Sequence, residues 1–319
     1  MGDPCVPDIS VDLCGLKLAN PTVLASGVLG VSRDLIARVA ECGAGAAVIK
    51  SVSPQPREGH HNPTVIAYEA GMLNAVGYSN PGADEAALEF HDMGELPIPV
   101  FASAVGRDAE EFAEVASKLG GCGFSAIELP LSCPHTPGYG TLAGHGTPQA
   151  TEQITRAVRQ ATDLPIFVKL SPNVPGIGEL ALAALEGGAE GISAVNTLGP
   201  GMIINVEARE PVLDFRVGGV SGPALRPVAV RCVYDVAMAL RRAGKDAPII
   251  GIGGVASGRD ALEMVMAGAS AVGVGTAVYS RGMGVFAEMA RELAALCGRL
   301  GIGSLSEVRG AALEGEGKR

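Results

Sequence analysis

The 319-residue chain is short of positive charge: 24 Lys and Arg stand against 34 Asp and Glu, giving a net charge of −10 and a pI near 5.1. No basic cluster longer than a pair occurs, so the footprint that nucleic acid or an anionic membrane would require is missing. Small molecules and proteins are left as partners. No apolar run approaches the roughly 18 residues of a membrane span, and Met1-Gly2-Asp3-Pro4 lacks the basic-then-apolar form of a signal peptide. A cytoplasmic location is therefore expected. The seven cysteines, at 5, 14, 42, 122, 133, 232 and 297, are odd in number and never form a C-x-x-C pair. That argues against a disulfide framework and against a metal or iron–sulfur centre, and leaves each as a small buried hydrophobe unless its neighbours say otherwise.

Any regular period in the glycines is also missing. The 45 Gly and 21 Pro fall between apolar runs, which rules out collagen-like and low-complexity chains. With 47% hydrophobic residues the chain is not disordered either. What is present is alternation. Eight short, β-rich apolar runs read as strands: Thr22–Ser26, Ala46–Ser51, Pro99–Ser103, Ala126–Leu131, Pro165–Leu170, Gly191–Asn196, Pro248–Ile252 and Ala271–Gly275. Helical faces lie between them, such as Phe112, Val115, Ala116 and Leu119 behind an Asp108-x-x-Glu111 cap, or Phe286, Met289, Leu293, Leu296 and Leu300. Gly43, Gly120, Gly187 and Gly268 are placed to close helices at positive φ.

Strands apolar on nearly every residue belong to a parallel sheet buried on both faces. Eight of them in this length indicate a (β/α)8 TIM barrel, with a doubly wound sheet as runner-up. No linker divides the chain, so a single domain is expected, with its core at about 20–300 and a mobile C-terminal tail at about 305–319. Asp8–Leu18, centred on Cys14-Gly15, reads as an N-terminal β-hairpin plugging the barrel bottom. Three βα connections are long: Val52–Ile98, with a short helix near Asp84–Asp92, Ser132–Thr147 and Thr197–Gly222. All three belong to the C-terminal face, where barrels build active sites.

Candidate chemistry collects at the same ends of the strands. Gly251-Ile252-Gly253-Gly254 and Gly273-Val274-Gly275-Thr276 follow the seventh and eighth strands, the usual place for a phosphate cradle, although tight turns without a ligand would look the same. Lys50 and Lys169 end the second and fifth strands and call for an anionic ligand or cofactor. Asn196-Thr197 ends the sixth, and Asn74 and Asn80 sit in the long second loop, suited to a planar amide-like ring. Cys133 alone among the cysteines follows a strand into a polar, glycine-rich loop, as a reactive thiol or a structural one, with His135 beside it. His60-His61 lacks a third ligand and makes a weak metal site. On these residues alone, a flavin-free sugar-phosphate lyase or isomerase barrel also fits.

Taken together, several motifs resemble the class 1 dihydroorotate dehydrogenases, particularly the B-type catalytic subunit. They are Ala25-Ser26-Gly27, Lys50-Ser51, Pro56-Arg57-Glu58-Gly59, Met72-Leu73-Asn74-Ala75-Val76-Gly77, Ser132-Cys133-Pro134, Lys169-Leu170-Ser171-Pro172-Asn173-Val174, Asn196-Thr197, Gly218-Gly219-Val220-Ser221-Gly222 and the two glycine loops. The resemblance implies an FMN barrel oxidising dihydroorotate to orotate in pyrimidine biosynthesis. In it Cys133 is the base and Lys50 a cation near flavin and substrate. It assigns Asn74, Val76, Gly77, Tyr78, Asn196 and Thr197 to the substrate. It assigns Ser26, Lys50, Ser51, Ser103, Lys169, Val195, Gly222, Gly253, Gly254, Gly275 and Thr276 to FMN.

It further implies a homodimeric core and, since no dinucleotide fingerprint is present, a separate electron-transfer subunit carrying FAD and an iron–sulfur cluster. Three positions depart from the family. Pro130 replaces an Asn that would touch flavin and substrate, and Ser103 stands where Asn is common. His135 is shared with the related dihydropyrimidine dehydrogenases, so another pyrimidine is the alternative substrate. A non-catalytic FMN-binding subunit is the further reading that Pro130 motivates.

Overall fold

The structure, a computed structural model, describes residues 7–131 and 146–315. Eight parallel strands close into a barrel in simple chain order: β1 (Thr22–Leu24), β2 (Ala46–Val48), β3 (Val100–Ser103), β4 (Ala126–Pro130), β5 (Ile166–Leu170), β6 (Gly191–Ala194), β7 (Ile249–Ile252) and β8 (Ala271–Val274). Closure through the β8–β1 pairing rules out the doubly wound alternative. The surrounding helices are α1 (Arg33–Glu41), α2 (Ala83–Glu89), α3 (Ala109–Gly120), α4 (Pro148–Ala161), α5 (Ile177–Glu186), α6 (Arg226–Arg242), α7 (Gly258–Met266), the short extra α8 (Thr276–Arg281) and α9 (Val285–Leu300).

Four of these helices start where a side chain satisfies a free N–H group. Ser32, Asp108, Thr147 and Ser257 cap α1, α3, α4 and α7, and Pro148 begins α4. Gly43 and Gly268 do follow helices at positive φ, but after α3 and α5 that role falls to Gly123 and Gly188 instead of the expected Gly120 and Gly187. Gly120 is itself the last residue of α3 and Gly187 caps α5 in a right-handed conformation, so the positive-φ glycine comes one to three residues later.

Within each strand, period two sorts the side chains. Ile127, Leu129, Ile166, Val168, Leu170 and Ile192 face outward into the core between barrel and helices. The inward residues form layers. Phe101, Ala126, Phe167 and Gly191 make an apolar layer, with the Phe101 and Phe167 rings 5.1 Å apart. Gly191 is required there, because a Cβ would come within 2.3 Å of the Phe167 ring. Two residues further along the same strands come Ser103, Glu128, Lys169 and Ser193, all buried.

The N-terminal hairpin, Val11–Leu13 paired with Leu16–Leu18, turns at Cys14 and Gly15 and adds Leu13 and Leu18 to the apolar layer from below. The long second connection holds the expected short helix, α2, but neither it nor the sixth was expected to contribute strands. Together they form a four-stranded antiparallel sheet of Leu198–Gly201, Gly218–Ser221, Gly71–Asn74 and Val65–Tyr68 over the C-terminal face. The two strands of the sixth connection are glycine-rich, and they join the Val65–Asn74 hairpin only across the chain, so no short window carried a readable alternation. Leu305–Glu307 and Ala311–Gly315 are 3₁₀ turns whose Leu305 and Leu313 are buried in the outer core. Two leucines that far apart set up no period to read. No helix among the described residues is long and apolar enough to cross a membrane.

Candidate functional site

A cavity of about 600 Å³ opens at the C-terminal end of the barrel, roofed by the antiparallel sheet. One end is a backbone cradle. Gly253 and Gly254 have φ of 137° and 71°, and a Cβ on Gly254 would strike the Arg226 Cβ at 2.6 Å and the Gly222 carbonyl at 2.7 Å. No other residue fits that turn. Gly275 precedes α8 without a side-chain cap, and among the described residues the only atom within 4 Å of its missing Cβ is the Ala25 Cβ at 3.8 Å. The open side is the cavity itself. Thr276 Oγ1 donates to Ser221 Oγ at 2.8 Å, joining the start of α8 to the roof sheet. Amides at a short helix following the eighth strand suit a phosphate.

Along the middle, the ends of the other strands supply polar groups. Ser26 donates to the Ile49 carbonyl at 2.8 Å and lies 3.2 Å from Ser51 Oγ. Lys50 lines the cavity with its Nζ 5.9 Å from the Tyr78 ring centroid. Lys169, Val195, Asn196 and Thr197 close the opposite wall, and the Asn196 amide oxygen accepts from the Thr197 N–H at 2.8 Å.

The loop Asn74–Tyr78 forms the far end. Asn74 is held by its Nδ2 donating to the Gly219 carbonyl at 3.2 Å. Gly77, at φ 76°, rests on His60, since a Cβ there would meet the imidazole at 2.8 Å. His60 stacks on Phe215 with centroids 3.9 Å apart and planes 6° apart, and its Nδ1 is 3.0 Å from the Ala75 carbonyl. The histidine singled out as a weak metal candidate is thus a support for this loop.

Of the residues expected at the site, Ser26, Lys50, Ser51, Asn74, Val76, Gly77, Tyr78, Lys169, Val195, Asn196, Thr197, Gly222, Gly253, Gly254, Gly275 and Thr276 all line this one cavity. Ser103 does not. It is wholly buried in the barrel and bonds to Ser51 Oγ at 2.9 Å, one layer behind the wall. Asn80 does not either. Its amide oxygen accepts from the Ser53 and Gly82 N–H groups, and its Nδ2 donates to Ser53 Oγ and the Tyr78 carbonyl. An Asn before Pro-Gly serves the turn first. Cys133 and His135 lie outside the described residues. Among the described cysteines, burial pushes the Cys122 and Cys297 thiols up, and Cys232 up to about 11 with Asp235 adding to the effect. These are inert thiols.

Sequence reasoning passed over Glu128. Its carboxylate, with no exposure, takes Ser193 Oγ on Oε1 at 2.8 Å and Lys169 Nζ on Oε2 at 3.3 Å. The signal was present as single opposite charges inside two apolar strands, Glu128 in one and Lys169 in the other.

A family model described as dihydroorotate dehydrogenase matches residues 8–297. The chain is similar to proteins named dihydroorotate dehydrogenase B (NAD(+)), catalytic subunit. It is 44% identical to that of Pyrococcus abyssi over 96% of this chain and 99% of the relative. To that of Methanosarcina mazei it is 46% identical over 95% and 94%, and to that of Thermococcus kodakarensis 42% over 97% and 99%.

Proposed function

The chain belongs to the dihydroorotate dehydrogenase family, and we propose that it oxidises dihydroorotate to orotate in pyrimidine biosynthesis, with FMN in the cavity described above. The observation that carries this reading is convergence. A glycine cradle, two lysines and the side-chain amides of Asn74 and Asn196, drawn from distant parts of the chain, face one cavity. An elongated planar group with a terminal phosphate fits such a cavity.

In this reading Gly253, Gly254, Gly275 and Thr276 hold the FMN phosphate, while Ser26, Ser51, Lys169, Val195 and Gly222 flank its ring. When bound, FMN supplies the acceptor for a hydride from C6 of the substrate. Asn74, Val76, Gly77, Tyr78, Asn196 and Thr197 orient the dihydroorotate ring, and the sheet above them excludes water. Cys133 takes the C5 proton as a thiolate, and Lys50 supplies positive charge where negative charge develops. A free thiol titrates near about 8.5, so turnover should rise toward alkaline pH.

Purified protein should be yellow and bleach anaerobically on adding dihydroorotate. Cys133→Ala should keep the colour and slow bleaching by about 10²–10⁴-fold. A colourless protein would favour the flavin-free phosphate barrel. Pro130 lines the cavity and offers no side-chain donor, which favours a second reading: a yellow protein bleached by dihydrouracil and not by dihydroorotate is a dihydropyrimidine dehydrogenase-like enzyme. The name of the relatives, catalytic subunit, supports a partner subunit; that this partner carries FAD and an iron–sulfur cluster, on a homodimeric core in the cytoplasm, is part of the same proposal. Co-purification of that partner tests it.

A further inference from the structure

Glu128 sits at the centre of the barrel, beneath the cavity wall. It follows β4 parity: Ala126, Glu128 and Pro130 point inward, and Pro130 reaches the cavity while Glu128 stops one step short. Strand pairing places Pro130 beside Lys169 and Lys169 beside Ser193, so β4, β5 and β6 together build one closed polar group. Glu128 is wholly buried and Lys169 is only 5% exposed. Both oxygens of the carboxylate are occupied, one by the Ser193 hydroxyl and one by the Lys169 ammonium.

Such a pair is a poor way to stabilise a fold. Desolvating two charges offsets most of their attraction, and apolar residues of similar size often do as well or better. The same barrel shows the apolar solution one layer down, where Phe101 and Phe167 pack. What the pair achieves lies at its upper end, because Lys169 is the member that lines the cavity. A lysine without Glu128 would present a bare cation to whatever binds there. With Glu128 attached, its direction is set and its charge is balanced.

We propose that Glu128 is a positioning residue for the flavin chemistry, aiming the Lys169 ammonium at the cavity floor and neutralising it so that bound flavin meets a paired charge. This rests on the functional reading above. A bare cation stabilises reduced, anionic flavin more than oxidised flavin, so Glu128 keeps the flavin easier to reoxidise.

The test compares the affinities of cofactor-free protein for reduced and oxidised FMN, by fluorescence and by potentiometry, at about pH 6, where a free amine is protonated. Glu128→Gln should tighten reduced relative to oxidised flavin about tenfold, a rise in midpoint potential of about 30 mV for a two-electron couple. The double variant Glu128→Gln/Lys169→Met removes both charges and should return toward the wild-type ratio, which structural damage would not do. If Glu128→Gln does not fold, Glu128→Met takes its place: it leaves the same unpaired ammonium and should shift the ratio in the same direction. An unchanged ratio in Glu128→Gln, or a double variant shifted further in the same direction, overturns the charge balance while the functional reading stands. Wild-type protein that takes up no FMN overturns both.

Discussion

Two layers inside the barrel use the same strands about 6.6 Å apart, yet they are built on opposite principles. The lower one, Phe101, Phe167 and the hairpin leucines Leu13 and Leu18, is held by area and fit. The upper one, Ser103, Glu128, Lys169 and Ser193, buries polar groups that water would otherwise solvate, and satisfies them pair by pair. The lower layer repays its burial directly, at about 1.5–3 kcal/mol per large side chain. The upper layer gives much of that away. A stable barrel could have continued the apolar packing upward, so the change of principle marks where the molecule stops serving its own stability and begins serving a ligand.

The sharpest break of this contrast is in the lower layer. Phe167→Ala should cost about 3–5 kcal/mol by the cavity it leaves, read as a lower urea midpoint. FMN affinity of the protein that remains folded should hardly change. A variant of normal stability with weak FMN binding would reverse the roles assigned to the two layers.

A smaller effect, on the ligand side, is expected at the rim. Asn80→Ala strands the Gly82 and Ser53 N–H groups and releases the Tyr78 carbonyl, for about 1–3 kcal/mol of stability. Because Tyr78 lines the cavity, KM for the substrate should rise as well. An unaltered KM would show that the turn does not support the loop.

The smallest effect lies outside both layers. The Arg281 guanidinium, and then the Gly258 N–H, hold the Glu292 carboxyl below its ordinary value of 4.5. The folded state therefore binds this proton less readily than the unfolded one, and the stabilisation is present above that value and lost as pH falls through the folded one. Both partners are partly exposed, so Glu292→Gln should remove less than about 1 kcal/mol at neutral pH. Acid denaturation curves should show the difference between mutant and wild type vanish at low pH, with FMN binding unaffected.

Much of this was legible locally. The eight barrel strands begin at the expected residue or, after Pro99, Pro165 and Pro248, one residue later, and each ends at the expected residue or one to three residues sooner. A strand buried on both faces is apolar at most of its positions whatever pairs with it. The Asp108 cap, the Cys14-Gly15 turn and the glycine loops were legible for the same reason: a few adjacent residues decide each of them. Lys50 and Lys169 could be placed at a site because charge at the end of an apolar strand needs an answer.

What gave that answer was not local. Glu128 meets Lys169 only because parallel strands set their register across the barrel. Ser103 falls behind the cavity wall because a buried layer intervenes, and Asn80 is consumed by its own turn. The roof sheet pairs Asn74 with Gly219, which no short window contains. The sequence by itself determined the barrel and the strand ends on which its chemistry would sit, since burial acts residue by residue. Only the tertiary structure decided which of those polar residues face the ligand and which face one another, because that depends on partners brought together by closure of the sheet.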